Sequence, residues 1–314
     1  MFMFMKSLLP ATGRPWLFAL LLLLTPGPAF AADIEAPKPV SSATNPVAAP
    51  RPSATLQTDV EYGRAGDVSL KLDACIPPGP GPVPAVILVH GGGFTAGSKE
   101  KYVTPMFKPL SAAGFAWFSI NYRLAPQYPY PAAIEDVDQA IVFVKAHAAE
   151  FKVNPDRIAL LGESAGGHLV SYVGTQTDPR WRVAAVVSFY GPHNLMGEYE
   201  MRQKQGQPPS AIQAFLSITN FDTAAFARIE AASAFTHVRP GMPPYLLVHG
   251  DNDQTVAYDQ SVKMRERMLQ AGNVCELYTI PGGGHGMSSW EKIMPAYKDQ
   301  VVAWLERLKQ PPAR

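Results

Sequence analysis

The sequence predicts an α/β domain in which a mostly parallel sheet carries helices on both faces. Several short runs of consecutive apolar residues are typical of strands buried on both sides, as in parallel sheets. Segments with apolar residues at helical spacing lie between these runs, and strands that alternate with helices favour a parallel sheet. Apolar residues make up 47% of the 314 residues, which is enough for a large core and excludes intrinsic disorder for the main part of the chain.

The predicted strands and helices follow one another from residue 57 onward. Residues 68–75 alternate between apolar and polar side chains, so this segment and the region around Tyr62 predict an antiparallel hairpin at one edge of the sheet. Apolar runs predict buried strands at 85–89, 115–120, 157–161, 183–189 and 245–248, and a last strand at 275–280. Apolar periodicity predicts helices at 134–148, 258–271 and about 290–308, with Gly272 ending the second helix.

Residues 193–238 interrupt this alternation of strands and helices. The segment is too long for a simple connection, and it carries scattered large apolar side chains such as Met196, Phe215 and Phe226. We predict a small helical cap inserted after the strand at 183–189, because long insertions in compact domains are usually functional. The alternative is a surface excursion without a function.

The first 56 residues predict two segments that precede the folded domain. Residues 1–31 resemble a secretory signal peptide, with basic residues at Lys6 and Arg14, an apolar run at 16–24 and a small-residue pattern at 29–31. A membrane anchor is the alternative, but spanning a bilayer requires roughly 20 apolar residues. Residues 32–56 are rich in Pro, Ala, Ser and Thr and predict a linker, which leaves 57–314 as the folded domain. We therefore expect a secreted or periplasmic protein without a stable membrane anchor.

The segment Gly162-Glu-Ser-Ala-Gly166 lies between a predicted buried strand and a predicted helix. A tight turn at this place lifts Ser164 clear of the sheet, and the flanking glycines permit the turn without a Cβ clash. The helix N-terminus favours negative charge at a reacting centre. Ser164 is therefore the predicted nucleophile, and a glycine-rich turn that merely contains a serine is the alternative.

A glycine run follows the predicted strand at 85–89. It lets the backbone N–H groups of Gly92 and Gly93 approach a substrate oxygen closely. Together with the N–H group of Ala165, they can form an oxyanion hole for a tetrahedral intermediate. The neighbouring His90 is interpreted as a structural residue rather than a catalyst.

Two further loops carry a carboxylate and a histidine. Asp251 and Asp253 both follow the predicted strand at 245–248, where a carboxylate can orient an imidazole, and His285 follows the last strand between glycines. The chain order of serine, aspartate and histidine is that of the α/β-hydrolase fold. We therefore predict this fold, with a triad of Ser164, His285 and one of the two aspartates.

Charge and cysteine content exclude other classes of protein. The formal net charge is +1 and only 17% of the residues are charged, which argues against a nucleic-acid partner. Two cysteines are too few for a disulfide framework or a multi-cysteine zinc site, and the histidines show no recognised metal-ligand spacing. In the sheet order of a hydrolase, Cys75 and Cys275 lie towards opposite edges, so we expect two buried thiols that do not pair.

Nearly the whole predicted domain, from Tyr62 to about Lys309, resembles bacterial α/β-hydrolase serine esterases of the feruloyl/acetylxylan-esterase-like and hormone-sensitive-lipase-like groups. The resemblance rests on the motifs at 90–94, 121–126, 154–158, 162–168, 249–256 and 284–286. Hormone-sensitive-lipase-like members usually carry an N-terminal helical cap, whereas this sequence predicts a linker and a hairpin there. The feruloyl/acetylxylan-esterase-like branch therefore fits better.

The resemblance implies hydrolysis of carboxylic esters without a cofactor. The implied substrates are small-molecule or carbohydrate-linked esters with a short-chain or aromatic acyl group, such as acetyl or feruloyl esters on plant polysaccharide. The resemblance also selects the aspartate that orients His285, because the fifth residue of the family's His-Gly-x-x-Asp-x-x-Val pattern is Asp253, whereas Asp251 falls on a variable position.

Three other functions compete with this interpretation. A serine peptidase of the prolyl-oligopeptidase kind or an arylformamidase would use the same triad, but such peptidases usually add a large propeller domain. A lipase for long-chain esters would need a longer hydrophobic lid. A non-catalytic binding protein on this fold would commonly lose a triad member, and this sequence keeps Ser164, Asp253 and His285.

Overall fold

The computed structural model describes residues 54–310, and the predicted signal peptide and nearly all of the predicted linker lie outside them. The described residues contain one eight-stranded sheet. Its strands are β1 Thr55–Ala65, β2 Val68–Ile76, β3 Val83–Val89, β4 Ala116–Ile120, β5 Val153–Glu163, β6 Ala185–Phe189, β7 Tyr245–Gly250 and β8 Cys275–Ile280. β1 begins two residues before the predicted domain boundary at residue 57.

The spatial order of the strands is β1-β2-β4-β3-β5-β6-β7-β8. β2 pairs antiparallel with both β1 and β4, and the other neighbours are parallel. The predicted edge hairpin and the mostly parallel sheet are therefore confirmed. Because β5, β7 and β8 run in the same direction, their carboxyl ends meet at one edge of the sheet, and loops at that edge can share a site.

Helices cover both faces of the sheet. They are α1 Phe107–Ala112, α2 Ala132–Ala146, α3 Ala165–Gly174, α4 Leu195–Lys204, α5 Ser210–Leu216, α6 Thr223–Ala231, α7 Asp259–Gln270, α8 Met287–Trp290 and α9 Tyr297–Leu305. Successive residues of β3 pack in different hydrophobic cores. Ile87 packs in the cluster that includes α2 and α3, and Leu88 packs in the cluster that includes α1 and α9. The continuous apolar run of β3 thus reflects burial on both faces.

The C-terminal helix differs from the prediction. The sequence predicts one helix over about 290–308, whereas the structure has α8 ending at Trp290, α9 spanning Tyr297–Leu305 and a short 3₁₀ helix at Glu306–Lys309. Pro295 lies just before α9, and a proline disfavours helical conformation in the residue that precedes it. The prediction of a single helix was therefore wrong.

Residues 193–238 form the predicted small helical insertion. They contain α4, α5, α6 and a 3₁₀ helix at Ala234–His237, and we call this segment the cap. Leu195, Phe215 and Ile229 anchor the cap, because they are buried in the same core as α2 and α3. Among residues 54–310, no helix combines the length and apolar character needed to cross a membrane.

The two cysteines lie on well-separated strands. Cys75 is on β2, second in the sheet order, and Cys275 opens β8 at the other edge. Both thiols are buried and free, as predicted. Burial raises the pKa of the Cys275 thiol to about 12, so this thiol stays protonated and unreactive.

Candidate active site

Ser164 occupies a strained turn between β5 and α3. Its backbone has φ 53° and ψ −118°, a region that non-glycine residues rarely adopt. The close approach around this turn explains the following glycine, because a Cβ on Gly166 would lie 2.1 Å from the carbonyl oxygen of Val89. The turn therefore presents the Ser164 side chain at the edge where the parallel strands end.

His285 and Asp253 meet Ser164 from two other loops. Nε2 of His285 lies 3.0 Å from Oγ of Ser164, and Nδ1 of His285 lies 2.7 Å from Oδ2 of Asp253. The loop after β7 supplies Asp253, and the loop after β8 supplies His285. The three residues singled out in the sequence thus form one continuous chain of hydrogen bonds, although Ser164 and His285 are 121 residues apart.

Several donors hold Asp253 in its ionised form. Its Oδ1 accepts hydrogen bonds from the backbone N–H groups of Thr255 at 2.8 Å and Val256 at 3.0 Å. Burial alone would raise the pKa of Asp253, but hydrogen bonds from His249 and His285 outweigh it and hold this pKa well below its usual range. Asp253 therefore remains a carboxylate that can stabilise a protonated His285.

His249 is the second imidazole at Asp253. Its Nε2 lies 3.3 Å from Oδ2 of Asp253 and 3.0 Å from the carbonyl oxygen of Val256, and its Nδ1 lies 2.8 Å from Oγ of Ser261. A carbonyl oxygen only accepts, so Nε2 carries a proton. The fully buried His249 thus helps to hold the carboxylate of Asp253 in place.

Asp251 takes a different position from Asp253. It is exposed, and its Oδ1 accepts a hydrogen bond of 2.6 Å from the backbone N–H group of Gly282. This contact joins the loop after β7 to the turn after β8. Asp251 makes no hydrogen bond with His285 within the described part of the chain.

The glycine loop after β3 lies beside the serine. Gly92 has φ 107°, and a Cβ at this position would lie 2.1 Å from the carbonyl oxygen of Ala96, so only glycine fits. Within residues 54–310, the N–H groups of Gly92, Gly93 and Ala165 donate to no protein acceptor. All three residues line the same cavity as Ser164, which leaves their N–H groups available to a substrate oxygen.

His90, at the start of the glycine loop, has a structural position. Its ring stacks on Tyr122 at a centroid distance of 4.3 Å, and its Nδ1 lies 2.7 Å from the carbonyl oxygen of Gly91. Burial lowers the pKa of His90 to about 4, so the ring is neutral near pH 7. Among the residues that the structure describes, no group of three or more His, Cys, Asp or Glu side chains is arranged to hold a metal ion.

A cavity of about 440 Å³ opens above Ser164 and His285. The cap contributes Leu195, Glu198, Arg202, Ala211 and Ile212 to its wall. Phe215 of α5 stacks on Phe94, which directly follows the glycine loop, with ring centroids 4.0 Å apart. The cap thus forms one side of the space next to Ser164 and packs against the loop that carries Gly92 and Gly93.

Two buried residues that the sequence patterns did not single out connect the loops of the site. Oε1 of Glu163 accepts a hydrogen bond of 2.6 Å from the backbone N–H group of Gly91. The hydroxyl of Tyr190 accepts a hydrogen bond of 3.1 Å from the backbone N–H group of Met287, and its ring centroid lies 4.5 Å from that of His285. The glutamate inside the Gly-x-Ser-x-Gly pattern was the only sequence signal for this network.

The chain is similar to several known esterases. Residues 72–268 match the BD-FAE family. The probable carboxylic ester hydrolase LipM of Mycobacterium tuberculosis is 32% identical over 69% of this chain and 52% of its own length. The acetylxylan esterase of Xylanibacter ruminicola is 27% identical over 72% of this chain and 46% of its own length. The chain therefore spans about half the length of these curated relatives.

Solved structures give the same result for the fold. A truncated carbohydrate esterase from gut microbiota superposes with a TM-score of 0.69 at 25% identity, over 82% of this chain and 96% of the other. A bacterial heroin esterase superposes with a TM-score of 0.68 at 25% identity, over 82% of this chain and 85% of the other. The predicted α/β-hydrolase fold and the resemblance to bacterial esterases are confirmed. Because the family match covers more than half of its residues, the chain belongs to the BD-FAE family.

Proposed function

We propose that the protein is a serine esterase that hydrolyses carboxylic esters through an acyl-enzyme. The observation that carries this proposal is the hydrogen-bonded chain from Ser164 through His285 to Asp253, beside three N–H groups that have no acceptor among residues 54–310. Nucleophile, base and orienting carboxylate have the mutual distances that this chemistry requires.

The geometry supports a specific sequence of steps. His285 removes the Ser164 proton as Oγ attacks the acyl carbon, while Asp253 stabilises the resulting imidazolium. The N–H groups of Gly92, Gly93 and Ala165 receive the negative charge that develops on the carbonyl oxygen. His285 then protonates the departing alcohol, and a water molecule attacks the acyl-enzyme by the same route in reverse.

The proposed substrates are esters with short-chain or aromatic acyl groups, including acetyl or feruloyl esters on plant polysaccharide. The support is a cavity of about 440 Å³ with both apolar and charged side chains in its wall. The names of two similar proteins, an acetylxylan esterase and a carbohydrate esterase, point to the same substrate class.

We also propose that the protein is exported, on the evidence of residues 1–31. N-terminal sequencing of protein recovered from the periplasm and from the medium tests this proposal. We expect the mature chain to begin at Ala32. Protein that keeps residues 1–31 and sediments with membranes would instead identify the segment as an anchor.

A panel of substrates tests the proposed reaction. It contains p-nitrophenyl acetate, butyrate and octanoate, methyl ferulate, acetylated xylan and a peptide p-nitroanilide. We expect turnover of the acetate and of at least one of the two plant-type substrates, with little activity on the octanoate and none on the anilide. Cleavage of the anilide without ester hydrolysis would identify a peptidase, and binding of xylan without any turnover would identify a non-catalytic binding protein.

A further inference from the structure

Glu198 of α4 is a buried carboxylate in the wall of the catalytic cavity. Its side chain is only 8% exposed, and it lies among the residues of the cap that line the cavity. Oε1 accepts a hydrogen bond of 2.8 Å from Nε of Arg202. Oε2 is buried and has no hydrogen-bond partner within residues 54–310.

Arg202 fixes the orientation of this carboxylate. Besides its bond to Glu198, its guanidinium group donates to Oε1 of Gln207 at 2.9 Å and to the carbonyl oxygen of Thr255 at 2.7 Å. Thr255 lies in the loop that carries Asp253, so Arg202 connects the cap to the catalytic loops. Three acceptors therefore hold Arg202 in place, and Glu198 cannot turn away without losing its own partner.

An unpartnered carboxylate oxygen is costly in a folded protein. A buried acceptor without a hydrogen bond loses its contact with water and gains nothing in return, and the loss is larger for a charged group. Burial raises the pKa of Glu198, and the hydrogen bond from Arg202 opposes this rise. Glu198 lines the cavity that contains Ser164, so a bound ligand is the group placed to supply a partner for Oε2.

The charges around Glu198 restrict the chemistry of that partner. A cationic donor is disfavoured, because the guanidinium group of Arg202 lies against the same carboxylate. An anion is disfavoured by the negative charge of Glu198 itself. A neutral O–H donor satisfies Oε2 without either repulsion, and a hydroxyl group is the most common neutral donor on esters of sugars and phenolic acids.

We infer that Glu198 accepts a hydrogen bond from a hydroxyl group of the substrate and thereby selects hydroxyl-bearing esters. The hydroxyl can belong to the alcohol, as in a partly acetylated sugar, or to the acyl group, as in a feruloyl ester. This inference rests on the proposed esterase activity and assigns its specificity to one side chain of the cap.

Two matched pairs of substrates test the inference on the wild-type protein. Glycerol monoacetate is compared with propyl acetate, and methyl ferulate with methyl 3,4-dimethoxycinnamate. We expect kcat/KM to favour the hydroxyl-bearing member of at least one pair by about tenfold or more, as a hydrogen bond to a charged group provides. The pair that shows the preference identifies the part of the substrate that carries the hydroxyl.

Glu198→Gln should reduce that preference to about threefold or less, because an amide NH₂ in place of Oε2 cannot accept. The matched control is Glu200→Gln, an exposed glutamate on the same helix, which should keep the wild-type preference. The readout is the ratio within each pair, so a general loss of activity does not affect it. Differential scanning calorimetry verifies that both variants are folded.

Two results would overturn the inference and leave the esterase proposal intact. One is a wild-type ratio near one in both pairs while all four esters are hydrolysed, a result that does not depend on the folding of any variant. The other is a folded Glu198→Gln variant with the wild-type ratio. Failure of the wild-type protein to hydrolyse any of the four esters would overturn both proposals.

Discussion

The loops at the carboxyl ends of the strands differ from the cap in how their polar groups are satisfied. In the loops, Asp253 is surrounded by donors, and Ser164 is held in a strained backbone conformation. In the cap, Glu198 keeps a buried carboxylate oxygen without a partner in the described structure. We propose that the loops at the end of the sheet fix the geometry of the reaction, whereas the cap provides one group, Glu198, whose partner comes from the substrate.

The strained backbone conformation of Ser164 is balanced by burial around it. Ser164 is preceded by the fully buried β5 residues Leu160 and Leu161, and its backbone N–H group donates to the carbonyl oxygen of Phe189 at 2.9 Å. Unusual backbone conformations cost about 1–3 kcal/mol and persist only where the surroundings determine them. The cap adds to this support, because Phe215 packs on Phe94 beside the glycine loop.

The largest effect on activity is expected in the loops, in a comparison of Asp253→Asn with Asp251→Asn. We expect Asp253→Asn to lower kcat by about 10³- to 10⁴-fold, because an amide in this position favours the wrong imidazole tautomer. Asp251→Asn keeps an acceptor for Gly282 and should cost about tenfold or less. The pKa of Asp253 is held below its usual range, so its carboxylate stays charged at pH values where ordinary aspartates become protonated. The acidic limb of the wild-type pH profile should therefore not reflect protonation of Asp253. A larger loss at Asp251 would reverse the assignment of the two aspartates.

A smaller effect is expected for Glu163→Gln. Oε1 of Glu163 positions the N–H group of Gly91 at the start of the glycine loop. An amide in this position makes a weaker hydrogen bond to Gly91 than a carboxylate does, so the glycine loop should be held less firmly and kcat should fall by about tenfold. Glu230→Gln, at an exposed position on α6, is the control. A kcat near the wild-type value in folded Glu163→Gln would mean that this hydrogen bond does not position the glycine loop for the reaction.

The smallest effect concerns the apolar wall of the cap. Ile212→Val removes one methylene group next to the cavity, so we expect kcat/KM for p-nitrophenyl butyrate relative to acetate to rise by about three- to tenfold. The control is Ile229→Val, which is also buried in the cap but does not line the cavity. Equal changes in both variants would mean that the cap affects activity through stability, and the proposed division between loops and cap would fail.

Sequence patterns alone predicted the sheet, Ser164 and His285, because these depend on local signals. The apolar run of β3 and the glycines around Ser164 report burial and a tight turn directly. The choice of Asp253 over Asp251 needed the family resemblance, because two residues so close in a loop carry the same local signal. The structure separates them by burial and by their partners.

Long-range contacts account for what could not be predicted. Glu163 is 72 residues away in sequence from its partner Gly91, and Tyr190 is 97 residues away from Met287. The periodicity of apolar residues predicts only local structure, so it cannot predict contacts over such separations. Oε2 of Glu198 has no partner among the described residues because of the way the cap packs on the rest of the domain. The mainly polar sequence of α4 has no apolar period that would predict this packing. The break before α9 could have been predicted from Pro295, because a proline interrupts a helix and is visible in the sequence itself.

Covalent labelling with a fluorophosphonate, read by intact-mass and peptide mass spectrometry, tests the central claim most directly. We predict one adduct per chain, located on Ser164, with loss of esterase activity in proportion to labelling. Ser164→Ala should remain folded and unlabelled, with kcat lower by at least about 10⁴-fold, while Ser288→Ala, at an exposed serine of the same cavity, should label normally. An adduct on another residue, or ester hydrolysis near the wild-type rate in Ser164→Ala, would contradict the assignment of Ser164 as the nucleophile.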